Sequence, residues 1–131
     1  MVQKKFLTIG SLIAALSVII GAFAAHGLKS QLSDYQIGIF ETGVEYQFYH
    51  AIGILIVAIL ADKIPARKIN IIGWCFTVGI ILFSGSLYLL ACQEILNANL
   101  RFLGSITPLG GTFFIIGWGL LFWNALKLPK S

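Results

Sequence analysis

The sequence predicts an all-α integral membrane protein, a bundle of four transmembrane helices with both termini in the cytoplasm. Of the 131 residues, 58% are hydrophobic and 11% are charged, with a mean hydropathy of +0.91, whereas about a quarter of the residues of a soluble domain are charged. Four apolar segments approach or exceed the roughly 20 residues that a helix needs to cross the hydrocarbon. The basic residues collect in the termini and the loop that four spans would place on one side.

The predicted spans are residues 6–25, 43–61, 69–92 and 108–126, and they form a single transmembrane domain over residues 1–131. Two bases, Lys29 and Arg101, fall on one side of this arrangement. Seven fall on the other side: Lys4, Lys5, Lys63, Arg67, Lys68, Lys127 and Lys130. Short loops rich in lysine and arginine stay in the cytoplasm. We therefore expect cytoplasmic termini and a multi-pass protein of the plasma (inner) membrane.

Composition also bears on partners and chemistry. The bases that give the net charge of +4 lie at the ends of the predicted helices, and membrane topology explains them there. We therefore expect the lipid bilayer as a partner and do not expect nucleic acid. The sequence lacks the C-x-x-C, H-x-x-x-H and E-x-x-H spacings of common metal and redox sites. It also lacks the signatures of nucleophile elbows and phosphate loops. We accordingly expect no cofactor, no metal and no enzyme activity.

The first span carries small residues at helical spacing. Gly10 and Ala14 form one series, and Ser17, Gly21 and Ala25 form another. Such faces let helices approach closely in lipid, either within the bundle or between protomers, so a homo-oligomer through this helix is one expectation. The start of the chain also has the pattern of a secretory signal, with two lysines, an apolar run and the A-x-A site at residues 22–24, and that interpretation stays open.

The second helix is predicted to begin at the capping box of residues 33–36 (SDYQ) and to run to Ala61. Its length of about 42 Å exceeds a hydrocarbon thickness of about 30 Å, so part of it must project, tilt or bend. On the third helix, the spacing of 100° per residue places a small and polar stripe on one face, which we expect to point inward. The stripe comprises Gly73, Thr77, Ser84, Tyr88 and Ala91.

The start of the fourth span is marked by Thr107, Pro108 and two glycines. Proline is favoured at the first helical position, so Pro108 is predicted there and Thr107 is predicted to be the N-cap. A helix broken at the proline and glycines inside the membrane, as in transporters, is the open alternative.

Ionisable and polar side chains enter the membrane on the second span. Several of them fall within about 140° of arc, and lipid does not tolerate such a face. We therefore expect this face to turn into the bundle and to form one hydrogen-bonded network near the outer leaflet with residues of the first and third helices. The predicted members are His26, Glu45, Tyr46, Tyr49, His50, Ser84 and Tyr88.

Three roles for this network stay open. It could lock helices together, serve as a ligand or proton site, or hold a metal or haem. A metal or haem site is disfavoured because the two histidines lie at different depths in the membrane. His50 lies about 12 Å below Thr42, whereas His26 lies at the membrane boundary. The leading hypothesis is a non-enzymatic accessory or assembly factor. The alternative is a small transporter or channel component that uses the network as a proton, ion or ligand site.

Four blocks carry a family resemblance: residues 21–28 (GAFAAHGL), 42–50 (TGVEYQFYH), 83–88 (FSGSLY) and 106–111 (ITPLGG). In this order they resemble the YgdD/YwdK family of small bacterial inner-membrane proteins, a domain of unknown function. The resemblance covers essentially the whole chain. It implies an integral plasma-membrane protein with four helices and supplies no substrate, reaction or active site.

Overall fold

The computed structural model describes residues 1–129, and within them four long α-helices follow one another. These are α1 (Val2–Phe23), α2 (Asp34–Ile59), α3 (Ala66–Ala91) and α4 (Ile106–Ala125). With their short helical extensions, all four are long and apolar enough to cross a membrane. They overlap the four predicted spans, so the all-helical membrane architecture is confirmed. Lys130, which enters the charge count above, lies outside the described residues.

Local sequence explains where α2 begins and ends. The Ser33 hydroxyl accepts the Gln36 backbone N–H at 3.3 Å, and the Gln36 side-chain oxygen accepts the Ser33 N–H at 2.9 Å. This is the predicted capping box, and α2 starts directly after it. At its other end, α2 tightens into a 3₁₀ turn over Leu60–Asp62 before Pro65 precedes α3.

The start of α4 differs from the prediction. A 3₁₀ helix, Arg101–Ser105, runs directly into α4, so Pro108 is the third helical residue. Proline is tolerated there because the first four N–H groups of a helix have no intrahelical partner. Thr107 is therefore not the N-cap; its hydroxyl donates to the Leu103 carbonyl at 3.3 Å and pairs with the Ser86 hydroxyl at 2.6 Å. The alternative of a broken helix is also wrong, since α4 is continuous.

The central pair of helices is α2 and α3. The extensive interfaces join consecutive helices, so α1 flanks α2 and α4 flanks α3. In the apolar stretches of the four spans, 39% and 44% of the residues of α2 and α3 are buried, against 17% and 22% for α1 and α4. The outer helices therefore present most of the surface to lipid. We call the end of the bundle that holds the start of α1 and the end of α4 the terminal end, and the opposite end the loop end.

The small residues of α1 serve contacts inside the bundle. A Cβ added at Gly10 would lie 2.9 Å from the Leu55 side chain, and one at Gly21 would lie 3.2 Å from Val44. Both neighbours belong to α2. Phe6, near the start of α1, is fully buried in the main apolar core at the terminal end. Of the two uses predicted for the small-residue series, close packing within the protomer is the one that these contacts match.

Aromatic rings seated on glycines join the helices. In each case a Cβ on the glycine would come within 3.0 Å of the ring, so no larger residue fits without displacement of the ring. The pairs are Phe6 on Gly73, Phe76 on Gly117, Tyr88 on Gly43 and Phe114 on Gly79. Helices in lipid gain little from hydrophobic burial against one another, so van der Waals packing of this kind is a main source of their association.

The backbones of α3 and α4 approach each other closely at Gly110, where a Cβ would meet the backbone nitrogen of Phe83 at under 3.0 Å. Because a backbone cannot rotate away, we expect Gly110→Ala to lower the free energy of unfolding by about 1–3 kcal/mol. Unfolding by SDS titration in mixed micelles measures the change. Gly119→Ala on the same helix is the control, because nothing lies within 4 Å of its Cβ position; equal losses in both variants would contradict the close approach.

Candidate functional site

A buried polar group ties three helices together towards the loop end. The Tyr88 hydroxyl donates to the Gln47 side-chain oxygen at 2.6 Å, and the Gln47 side-chain nitrogen donates to the Ile13 carbonyl at 3.2 Å. The same carbonyl accepts the Ser17 hydroxyl at 2.9 Å. Gln47 is only 5% exposed. This residue therefore links α1, α2 and α3 through its two amide atoms.

A second buried hydrogen bond lies beside this group. The Ser84 hydroxyl donates to the Gly43 carbonyl at 2.6 Å, and the Tyr88 ring rests on the same glycine. The absence of a side chain at Gly43 thus lets α3 approach close enough to reach a backbone oxygen of α2. Ser84 and Tyr88 therefore point into the bundle, as predicted, but they bond to Gly43 and Gln47.

Most of the polar face of α2 does not turn inward, contrary to the expectation from the sequence. Glu45 is exposed, and Tyr46 and Tyr49 are 39% and 55% exposed. The buried residues of α2 instead include positions 43, 47, 50, 54 and 57. At 100° per residue, Glu45 lies 200° around the helix from Gly43. Because Gly43 must face the Tyr88 ring, Glu45 must face away from it.

His50 is the one predicted ionisable residue of α2 that is buried, at 6% exposure. Its Nδ1 lies 2.7 Å from the Tyr46 carbonyl. A carbonyl only accepts, so Nδ1 carries the proton, and in the neutral imidazole Nε2 is left as an acceptor. The imidazole stacks on Phe114 of α4, with ring centroids 3.4 Å apart and planes inclined by 8°. Phe76 is next at 5.7 Å, followed by Tyr46 and Trp118, both at 6.0 Å.

Two grooves flank the exposed face of α2. The first, of about 350 Å³, lies between α1 and α2, and its lining residues are Ser17, Val18, Gly21, Val44, Glu45, Phe48 and Tyr49. The second, of about 450 Å³, lies between α2 and α4, and its lining residues are Tyr46, Tyr49, His50, Phe83, Gly111, Phe114, Ile115 and Trp118. Tyr49 lines both, so the two grooves adjoin on one side of the molecule.

The structure does not bring all seven predicted residues together. His26 lies on a π-helical segment, Ala24–Leu28, at the end of α1 and is exposed. Glu45 and Tyr49 face outward, and Ser84 and Tyr88 face inward. Tyr46 lies between these two sets, because it is 39% exposed and its ring packs 4.7 Å from that of Phe83 on α3. Within residues 1–129, no group of three or more His, Cys, Asp or Glu side chains is placed to hold a metal ion. Where the sequence predicted one network, the structure has two separate features, a buried set of hydrogen bonds and an exposed polar face on α2.

Gln47 is the residue of this site that was not predicted from the sequence. It lies inside the block of residues 42–50 and is uncharged, so it does not stand out as costly in hydrocarbon. The spacing of the buried residues could have identified it. Residues 43, 47, 50, 54 and 57 repeat at intervals of four and three, which is the period of a helix face packed on a neighbour. Gln47 occupies the second position of this buried face, one turn from Gly43.

Comparison with known proteins identifies the family to which this chain belongs. A family described as "Protein of unknown function (DUF423)" matches residues 20–111. The chain belongs to the DUF423 family. All seven predicted site residues and Gln47 lie within the matched range. The resemblance seen in the four sequence blocks is confirmed, and the family description assigns no activity.

Named relatives of this DUF423 protein are similar along nearly their whole length. UPF0382 membrane protein YwdK of Bacillus subtilis (strain 168) is 44% identical over 126 residues, which cover 95% of this chain and 98% of YwdK. UPF0382 membrane protein SH2409 of Staphylococcus haemolyticus (strain JCSC1435) is 41% identical over 125 residues, with the same coverage of 95% and 98%. No solved structure matches the chain. The relatives are called membrane proteins, in agreement with the four apolar helices.

Apolar substitution should affect stability differently at the buried residue Gln47 and at the exposed residue Glu45. We expect Gln47→Leu to lower the free energy of unfolding by roughly 1–3 kcal/mol, because it leaves the Tyr88 hydroxyl buried without its partner. Glu45→Leu, an exposed position on the same helix, should change the free energy by less than about 0.5 kcal/mol. SDS titration of both variants in mixed micelles is the measurement. A larger loss for Glu45→Leu than for Gln47→Leu would contradict the assignment of Gln47 as the buried anchor.

Proposed function

We propose that this protein is a non-enzymatic accessory or assembly factor that binds a second membrane protein laterally through α2. The observation that carries the proposal is the exposure of Glu45, with Tyr46 and Tyr49, on a helix long and apolar enough to span the membrane. Ionisable side chains within spanning segments almost always face a bundle interior or pair with another group. A face of this kind that points out of its own bundle gains most from contact with another protein.

The depth of Glu45 supports this proposal. Its neighbour Val44 contacts Gly21 of α1, and Gly21 precedes Ala25, the end of the first predicted span, by about 6 Å along the helix axis. The backbone of Glu45 therefore lies roughly one helical turn inside the apolar segment. At that depth a hydrogen-bond donor on a partner helix would satisfy its carboxyl group better than lipid.

The groove between α1 and α2 has the shape and chemistry to receive a helix. Ser17 and Gly21 lie at the floor of its lining. Both are small, so the lining is shallow there and a helix can come close. Tyr49 and Phe48 add aromatic surface, and tyrosine is enriched among residues that dominate binding energy at interfaces. The partner we propose is a transmembrane helix that brings a hydrogen-bond donor to Glu45. A second copy of this chain, in a homo-oligomer through the first helix, would use this same groove.

A photo-crosslinking residue at position 48 tests this interface in native membranes. Phe48 is 40% exposed and lines the groove, so we expect a covalent adduct of defined mass. Adding Glu45→Leu should reduce its yield at least about fivefold, since the loss of one buried hydrogen bond corresponds to roughly 1 kcal/mol. The matched control places the same crosslinker at Ile81, which is 65% exposed on α3. Equal protein adducts from both positions, or a yield indifferent to Glu45→Leu, would refute the interface.

The alternative function, a small transporter or channel component, is favoured by one observation. His50 presents an acceptor nitrogen in an aromatic groove, which suits a hydrogen-bonding ligand. The remainder of the interior is less suited to conduction, because the core between His50 and the terminal end is apolar and includes Ile54, Val57 and Phe76. Proton or solute flux in liposomes that is abolished by His50→Phe would support transport over the accessory role.

We also propose cytoplasmic termini and a plasma-membrane location. The support is the charge distribution: six described bases belong to the terminal end and two to the loop end, and lysine and arginine in short loops favour the cytoplasmic side. A fluorescent reporter fused after the last residue should be fluorescent, and alkaline phosphatase fused there should be inactive. The same two reporters inserted after Ser30 should give the reverse pattern. Active phosphatase at the C-terminus would overturn this orientation.

A further inference from the structure

We infer that the terminal end of the bundle holds a binding site for one anionic phospholipid, in a groove between α3 and α4. This groove is far from the α2 face and shares no residue with it, so the inference is independent of the proposed function. It has a volume of about 360 Å³, and its lining residues are Arg67, Lys68, Ile71, Ile72, Leu120, Trp123 and Asn124.

The part of the groove that points into the bilayer is apolar. Ile71 and Ile72 of α3 face Leu120 of α4, which makes a wall suited to the first carbons of an acyl chain. Asn124 is 6% exposed, and its side-chain nitrogen donates to the Leu120 carbonyl at 2.7 Å. One of the two amide N–H groups is therefore used within α4, and the charged groups that can recognise a polar head group lie at the rim.

The rim presents positive charge at the start of α3. Arg67 and Lys68 are the second and third residues of this 26-residue helix, and both are exposed. The residue before the helix is Pro65, and no side chain caps the helix there. The Lys68 N–H already donates to the Pro65 carbonyl at 2.8 Å, which leaves the N–H groups of Ala66 and Arg67 without an intrahelical partner at the positive end of the helix dipole. The rim therefore offers a phosphate a guanidinium and an ammonium group beside a helix N-terminus, a position that favours anions.

The other bases of the terminal end differ in their surroundings. Lys5 donates a hydrogen bond to Asn70 and lies over the Phe6 ring at 4.7 Å, so its charge already has partners within the bundle. Lys127 lies 4.7 Å from the centre of the Trp123 ring, which itself lines the groove. Among the described residues, no acid lines this groove. The charge of the rim thus selects for an anion.

An anionic phospholipid satisfies both parts of the groove at once. A soluble phosphate would contact the rim and leave the apolar wall uncovered. A zwitterionic phospholipid would cover the wall but carries a positive group towards Arg67 and Lys68. Basic pockets between transmembrane helices bind anionic head groups by this combination of charge and apolar surface.

Native mass spectrometry of the full chain in mild detergent tests this site. The probes are phosphatidylglycerol and phosphatidylcholine with identical acyl chains, offered in equal amounts. We expect the wild type to retain one phosphatidylglycerol in preference to phosphatidylcholine. The double variant Arg67→Gln/Lys68→Gln should lose this preference by roughly tenfold or more, since each basic side chain near an anionic lipid contributes about 1 kcal/mol.

The matched control is Lys4→Gln/Lys63→Gln, which removes the same charge from exposed positions at the same end of the bundle. It should retain the wild-type preference. Equal losses in both double variants would overturn the site in favour of general surface attraction, and so would a wild type that binds both lipids equally. Inorganic phosphate that displaces the lipid at millimolar concentration would show that the rim alone binds and would also overturn the proposal. Circular dichroism and gel filtration establish that each variant is folded.

Discussion

Rings packed on glycines are the interaction on which the rest of this structure depends. Phe6, Phe76, Tyr88 and Phe114 each occupy the space that a side chain would fill on a neighbouring helix. In lipid, helices are not driven together by exclusion of water, so fit at such contacts decides which faces meet. Each ring fixes both the rotation of the helix that carries the glycine and its position along the neighbour. The bundle is thus held by shape, with few hydrogen bonds between helices.

The rotation of α2 about its axis is a consequence of that constraint. Once Gly43 faces the Tyr88 ring, Gln47 is brought against α1 and α3, and His50 is brought against Phe114. The same rotation leaves Glu45 on the outside. Burial of a glutamine amide with both atoms bonded is less costly than burial of a carboxylate. The buried group and the exposed face therefore both result from how one glycine packs.

The chemistry of the bundle falls into two separate regions. The exposed α2 face and the aromatic groove at His50 lie near the middle of α2, where polar groups enter an otherwise apolar helix. The terminal end combines a large apolar core with a rim of basic residues. In the proposals made above, the first region is a lateral surface for protein contact and the second is a separate surface for lipid. Neither surface requires a cavity through the centre of the bundle.

Much of the architecture was predictable because it depends on local properties. Apolar length determined the four helices, and the Ser33–Gln36 capping box determined where α2 begins. Four short blocks were likewise enough to predict the family. Tertiary structure alone decided which polar residues of α2 are buried, because hydropathy cannot say which side of a helix a ring on another helix will occupy. It also decided that α4 begins before Pro108. Thr107 bonds both to the Leu103 carbonyl of the preceding 3₁₀ turn and to Ser86 of α3, a contact between residues far apart in sequence.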